Sequence, residues 1–144
     1  ADGKETDSQP FGADAHVRVF FHVNAPATGA ITLNLGVMDA SGRQILHFSS
    51  LATGINIGDC DLGHRYAVDF HFDCPLTPGE YNLVTGVSSM AKSTLRNSQM
   101  VVESVIDYCV GGARFNVSEP TDGSFQDLWG ICYVPCQAHL SKFD

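Results

Sequence analysis

Apolar and polar side chains alternate along this chain in short runs, the period of a β-strand with one buried face. The clearest run is Arg65–Asp73, where Tyr66, Val68, Phe70 and Phe72 alternate with Arg65, Ala67, Asp69, His71 and Asp73. The corner Pro75-Leu76-Thr77-Pro78-Gly79 follows, and then Tyr81, Leu83 and Val87 resume the alternation. Each proline fixes its own φ and removes a donor, and Gly79 allows a sharp turn. A tyrosine just beyond such a corner is one way a β-sandwich crosses from one sheet to the other.

The same period appears on both sides of this stretch. His16–Asn24 sets Val17, Val19, Phe21 and Val23 against His16, Arg18, Phe20 and His22. Ile31, Leu33, Leu35 and Val37 form the next apolar face, opposite Thr32, Asn34, Gly36 and Met38. Asp39–Arg43 is a hairpin turn into Gln44–Ser49, and residues 51–64 are rich in Gly, Asp and Asn and read as a loop. Residues 6–12 read as an irregular connection or a short edge strand. Residues 89–99 are polar, without a firm period, and read as a mobile loop or one helical turn. Met100–Ile106 reads as a strand or the approach to one, 107–112 as a lead-in, Ala113–Ser118 as a strand, 119–127 as a polar loop and Leu128–Val134 as a last strand ended by Pro135. No long helix, repeat or low-complexity tract is present. This pattern predicts an all-β fold, an immunoglobulin-like antiparallel β-sandwich. Its expected core is Val19, Phe21, Leu33, Leu35, Val68, Phe70, Tyr81, Leu83 and Phe115.

Composition narrows the partners. The chain has 144 residues, enough for one domain with a substantial core. Sixteen acidic residues against eight basic ones give a net charge of −8. A nucleic-acid or anionic-membrane partner would need a basic surface, so neither is expected. Five cysteines, Cys60, Cys74, Cys109, Cys132 and Cys136, form no recognisable disulfide framework. Free thiols in a reducing compartment are expected, with a Cys60–Cys74 bridge as the main exception.

Several motifs, in order, carry a resemblance. They are Met38-Asp39-Ala40-Ser41-Gly42-Arg43, Pro75-Leu76-Thr77-Pro78-Gly79-Glu80-Tyr81-Asn82-Leu83, Ala113-Arg114-Phe115-Asn116-Val117 and Gly130-Ile131-Cys132-Tyr133-Val134-Pro135. Together they resemble the C-terminal carbohydrate-binding domain of Wzt-type ABC-transporter ATPases, which export bacterial O-antigen polysaccharide. That family usually places a tryptophan after the final proline; here Gln137, Ala138 and His139 stand there, and Trp129 is the only tryptophan.

The resemblance implies that residues 1–144 are one carbohydrate-binding domain from the C-terminal part of a longer chain. It implies a cytoplasmic location at the inner face of the bacterial inner membrane, reached through the full-length transporter. It also implies a homodimer through Leu128–Pro135, because domains of this family exchange that strand. The alternative from a different class is a structural or adhesive immunoglobulin-like domain of a secreted protein, which would carry at least one disulfide.

Candidate chemistry is sparse. No serine sits in a nucleophile elbow and no Walker-type phosphate loop is present, so neither an enzyme nor a cofactor is expected of this domain. Cys132, Cys136 and His139 look like half a zinc site without a second half. Two polar surfaces compete for a sugar. One combines Asn34, Asn82, Arg114 and Asn116, with His47 beside them and Trp129 or Tyr133 as the stacking ring. Amide and guanidinium groups on this surface suit bidentate capture of vicinal hydroxyls. The other combines Phe20, His22, Asp69 and His71, where two imidazoles and a carboxylate suit either sugar hydroxyls or a metal ion.

Overall fold

The structure is a computed structural model that describes residues 6–93, 99–121 and 130–132. Among the described residues, seven strands form two sheets: β1 (Ser8–Pro10), β2 (Asp14–His22), β3 (Ala30–Asp39), β4 (Gln44–Ser49), β5 (Arg65–Asp73), β6 (Gly79–Lys92) and β7 (Met100–Ser118). The five-stranded sheet has the order β1-β7-β6-β3-β4, and β2 and β5 form the two-stranded sheet. Residues 51–64 are largely loop, with single 3₁₀ turns at Leu51–Thr53 and Ile57–Asp59.

The alternation does what its period requires. Ile31, Leu33, Leu35 and Val37 of β3 are buried, and the first three meet Val68 and Phe70 of β5 across the sandwich. Val17, Val19, Phe21, Phe48, Leu83 and Val87 complete this central cluster as half-buried neighbours. A second cluster at the corner end gathers Ala15, Val37, Cys74, Leu76, Tyr81 and Val117, with Phe115 packed against it. Every expected core residue therefore lies in one cluster or the other. Tyr81 anchors the corner: its hydroxyl donates to the Thr77 carbonyl at 2.7 Å, a buried bond that ties the new strand back to the turn.

Three details differ from the sequence reading. The edge strand β1 pairs with β7 in parallel, Ser8 opposite Asn116, so the larger sheet is mixed rather than purely antiparallel. Residues 89–92 are not loop but the end of a 14-residue β6. The segment 107–112, read as a lead-in, is the middle of one 19-residue strand. That strand stays in register only by slipping. Leu83 faces Ala113 but Val84 faces Val110, so Gly111 and Gly112 are extra, and Gly111 takes φ 70°, a bulge conformation open to glycine. Further slips leave Ile106 and Glu103 without a cross-strand partner.

The loop between β4 and β5 is stapled to β3 by Asn56. Its side-chain oxygen accepts from the backbone N–H of Ile31 at 2.8 Å and of Gly58 at 3.1 Å, and its amide donates to the Gly29 carbonyl at 3.1 Å. Asn56→Ala leaves the Ile31 donor without this partner and is expected to cost about 1–3 kcal/mol. The urea midpoint measures it; a loss below about 0.5 kcal/mol would mean water replaces the staple.

Candidate functional site on the outer sheet faces

Strand register determines which candidates meet. On the outer face of the larger sheet, side chains line up in rows across β4, β3, β6 and β7. One row is Ser49, Asn34, Gly86 and Tyr108; the next is His47, Gly36, Val84 and Val110; a third is Gln44, Met38, Asn82 and Arg114. Glu80 and Asn116 follow as a further pair. Asn34, His47, Asn82, Arg114 and Asn116 thus share one face, but Asn34 and Asn82 lie two rows apart. Four strand residues span about 13 Å, so the set is an elongated track rather than a single pocket.

The track has an aromatic ring that the sequence reading did not single out. A Cβ built on Gly86 would lie 3.1 Å from Cδ2 of Tyr108, so the Tyr108 ring lies over the bare glycine backbone. Tyr108 is 59% exposed even so. Beside it, the Thr32 hydroxyl lies 2.8 Å from that of Ser49 and donates to Oδ1 of Asn34 at 3.3 Å, which orients the Asn34 amide. An open aromatic face flanked by an oriented amide and an exposed imidazole suits a sugar ring, whose C–H face stacks while its hydroxyls hydrogen-bond. Trp129 and Tyr133, the aromatics expected here, lie outside the described residues.

The competing surface is the outer face of β2–β5. His16 pairs with His71, Arg18 with Asp69, Phe20 with Ala67 and His22 with Arg65. Phe20, His22, Asp69 and His71 do share this face, and Phe20 is 74% exposed. His22 faces Arg65, however, four residues along the strand from the residue paired with Asp69. The histidine that joins Asp69 and His71 is His16. Its Nε2 lies 2.6 Å from Oδ1 of Asp69, and its ring stacks on His71 at a centroid separation of 4.0 Å. Arg18 donates to both Asp69 oxygens, at 2.7 and 3.2 Å. The bonds from Arg18, then His16, hold the Asp69 carboxyl at about 2, so it is ionised throughout the physiological range.

Cys60, Cys74, Cys109 and Cys132 are free thiols, and Cys136 and His139 lie outside the described residues. Burial pushes the Cys60 and Cys74 thiols above their usual range, which favours the protonated form. Among the described residues no helix is long and apolar enough to cross a membrane.

The architecture defines an all-β sandwich domain with polar groups on both outer sheet faces. Residues 1–134 match the family model described as the Wzt C-terminal domain, and the chain belongs to that family. A solved structure titled "Crystal structure of the C-terminal domain of wzt" shares the fold at a TM-score of 0.61 and 16% sequence identity. The match covers 94% of this chain and 74% of that one. No curated protein matches the chain in sequence.

Proposed function

We propose that this domain is a non-catalytic carbohydrate-binding module that recognises the terminus of a bacterial O-antigen polysaccharide and couples it to export by an ABC transporter. The observation that carries the choice of surface is Tyr108, an exposed ring laid over Gly86 and beside Asn34. It gives the track of Asn34, His47, Asn82, Arg114 and Asn116 the stacking platform that amides and a guanidinium alone lack. The glycan lies along the track, with one sugar on Tyr108 and hydroxyls taken by the polar groups of neighbouring rows. Affinity is modest, because sugar hydroxyls exchange one set of hydrogen bonds with water for another. Membership of the Wzt C-terminal domain family supports the ligand class and the transporter.

The same reading includes a homodimer. What supports it is the free side of β7: β1 covers only Asn116–Ser118, and among the described residues no strand pairs with the rest of that edge. Val102, Val105, Ile106 and Val110 are each more than half exposed along it. An open edge with apolar side chains is a template for another strand. The segment Leu128–Pro135 of a second copy is the occupant assigned here.

Calorimetric titration of the cognate polysaccharide tests the binding face. Tyr108→Ala and Arg114→Ala are each expected to weaken binding about tenfold, or ~1.4 kcal/mol, with little change in thermal stability because both side chains are exposed. Gly86→Ala, which pushes the ring off the sheet, is expected to act in the same direction. Wild-type binding by all three variants, with loss in His71→Ala, would move the site to β2–β5. If no bacterial glycan binds the unaltered domain, the carbohydrate reading fails.

A further inference from the structure

We propose that His16, Asp69 and His71 form a divalent transition-metal site on the outer face of β2–β5. Their donor atoms all lie within 4.8 Å of one another. The arrangement follows from register. His16 and His71 are direct cross-strand partners, and Asp69 precedes His71 by two residues and so points to the same side. The ladder from Asp14↔Asp73 to His22↔Arg65 pins both backbones, so the three Cβ atoms are held in place whether or not an ion is bound.

Bonds of about 2.0–2.2 Å to imidazole nitrogen and carboxylate oxygen put neighbouring donors roughly 3–3.5 Å apart. The 2.6 Å separation of His16 Nε2 and Asp69 Oδ1 is slightly shorter than that, and the His16 and His71 rings, now stacked at 4.0 Å and 15°, must turn to converge their lone pairs on an ion. Two imidazoles with one carboxylate favour Zn²⁺, Ni²⁺, Co²⁺ or Cu²⁺ over Mg²⁺ and Ca²⁺. Asp14 and Asp73 form the next outward pair, which adds negative charge beside the ion. Three protein donors leave at least one coordination position open to water or a ligand oxygen.

Arg18 is the competitor. Its guanidinium now fills the cationic place beside Asp69 through two hydrogen bonds, and an incoming ion must displace at least one. Removing that charge should therefore tighten metal binding, which a purely structural Arg18–Asp69 pair does not predict. A bound ion would also clip together the two strands of the smaller sheet and raise the melting temperature by mass action.

The test is titration of Ni²⁺ into the tag-free 144-residue chain, read by calorimetry and by the shift in Tm. One equivalent is expected to bind and raise Tm, with EDTA reversing both, and Mg²⁺ is expected to be inert. His16→Ala, His71→Ala and Asp69→Asn should each weaken binding about tenfold or more, and Arg18→Gln should tighten it several-fold. All four side chains lie at the surface, so the variants should fold; they also keep every cysteine, so thiol binding would persist in each of them. No binding at about millimolar Ni²⁺, or His16→Ala and His71→Ala titrating like the unaltered chain, would overturn the site. Glycan binding on the larger sheet is a separate measurement, and neither result decides the other.

Discussion

Phe70→Ala is expected to destabilise the domain by about 3–5 kcal/mol, the usual cost of emptying an enclosed aromatic site. The ring is only 6% exposed and sits with Ile31, Leu33, Leu35, Ile57 and Val68 in the cluster between the sheets. Phe48 lies 6.4 Å away by centroid, tilted by 43°. The loss falls on a weak part of the architecture. A two-stranded ribbon is marginal by itself, and β2–β5 owes its order to packing on the larger sheet through residues such as Phe70. Domains of this size have only about 5–15 kcal/mol in hand, so the variant should lose a large share of its stability. Urea unfolding followed by circular dichroism should show a lower midpoint with an unchanged slope. Phe20→Ala is the matched control, because Phe20 lies on the opposite face of the same sheet and is 74% exposed. Equal effects from the two changes would mean that the ribbon is not held by its inner face.

Most of the sandwich is legible in the alternation, because a strand with one buried face must repeat every two residues. That period identified the inner faces of β3 and β5 and the tyrosine at the corner. It failed where the backbone breaks step. Gly111 and Gly112 insert a two-residue bulge into β7 and carry no side chain to show the period, so the middle of the strand reads as a lead-in. Tyr108 lies just before that break, and its placement over Gly86 depends on a pairing that no local pattern encodes. The parallel pairing of β1 was hidden for another reason: three residues ending in a proline carry too few side chains to show a period. His16 and His22 mark a further limit. Both have the parity of the outer face, and only the register, with His16 opposite His71, selects the one that meets Asp69. Alternation reports which face a residue occupies, whereas a site needs the position along the strand as well.

Deleting everything after Asp127 is expected to give a monomer or insoluble protein, and the 144-residue chain is expected to sediment as a dimer. The segment removed is Leu128–Pro135 with the tail beyond it, which lies outside the described residues except at its Gly130–Cys132 portion. That portion already shows what strand pairing here contributes. The Thr77 N–H donates to the Ile131 carbonyl at 3.0 Å, the Thr77 hydroxyl donates to the same oxygen at 3.2 Å, and Leu76 pairs with Cys132 as an antiparallel bridge. Ile131 also packs against the corner cluster of Tyr81, Leu76 and Cys74. Truncation therefore acts twice. It strips the corner of a backbone partner beside the fully enclosed Leu76, and it removes the strand proposed to cover the β7 edge of a second copy. Exposure of both surfaces favours aggregation over a well-behaved monomer. A second variant separates the two effects: Val105→Lys leaves the corner intact and puts a charge on the free edge, where Val105 is 63% exposed. It should remain folded while the dimer weakens. Sedimentation of both proteins decides the matter. A truncated domain that stays folded and dimeric would exclude Leu128–Pro135 as the joining strand, and an unaltered dimer in Val105→Lys would exclude β7 as its dock.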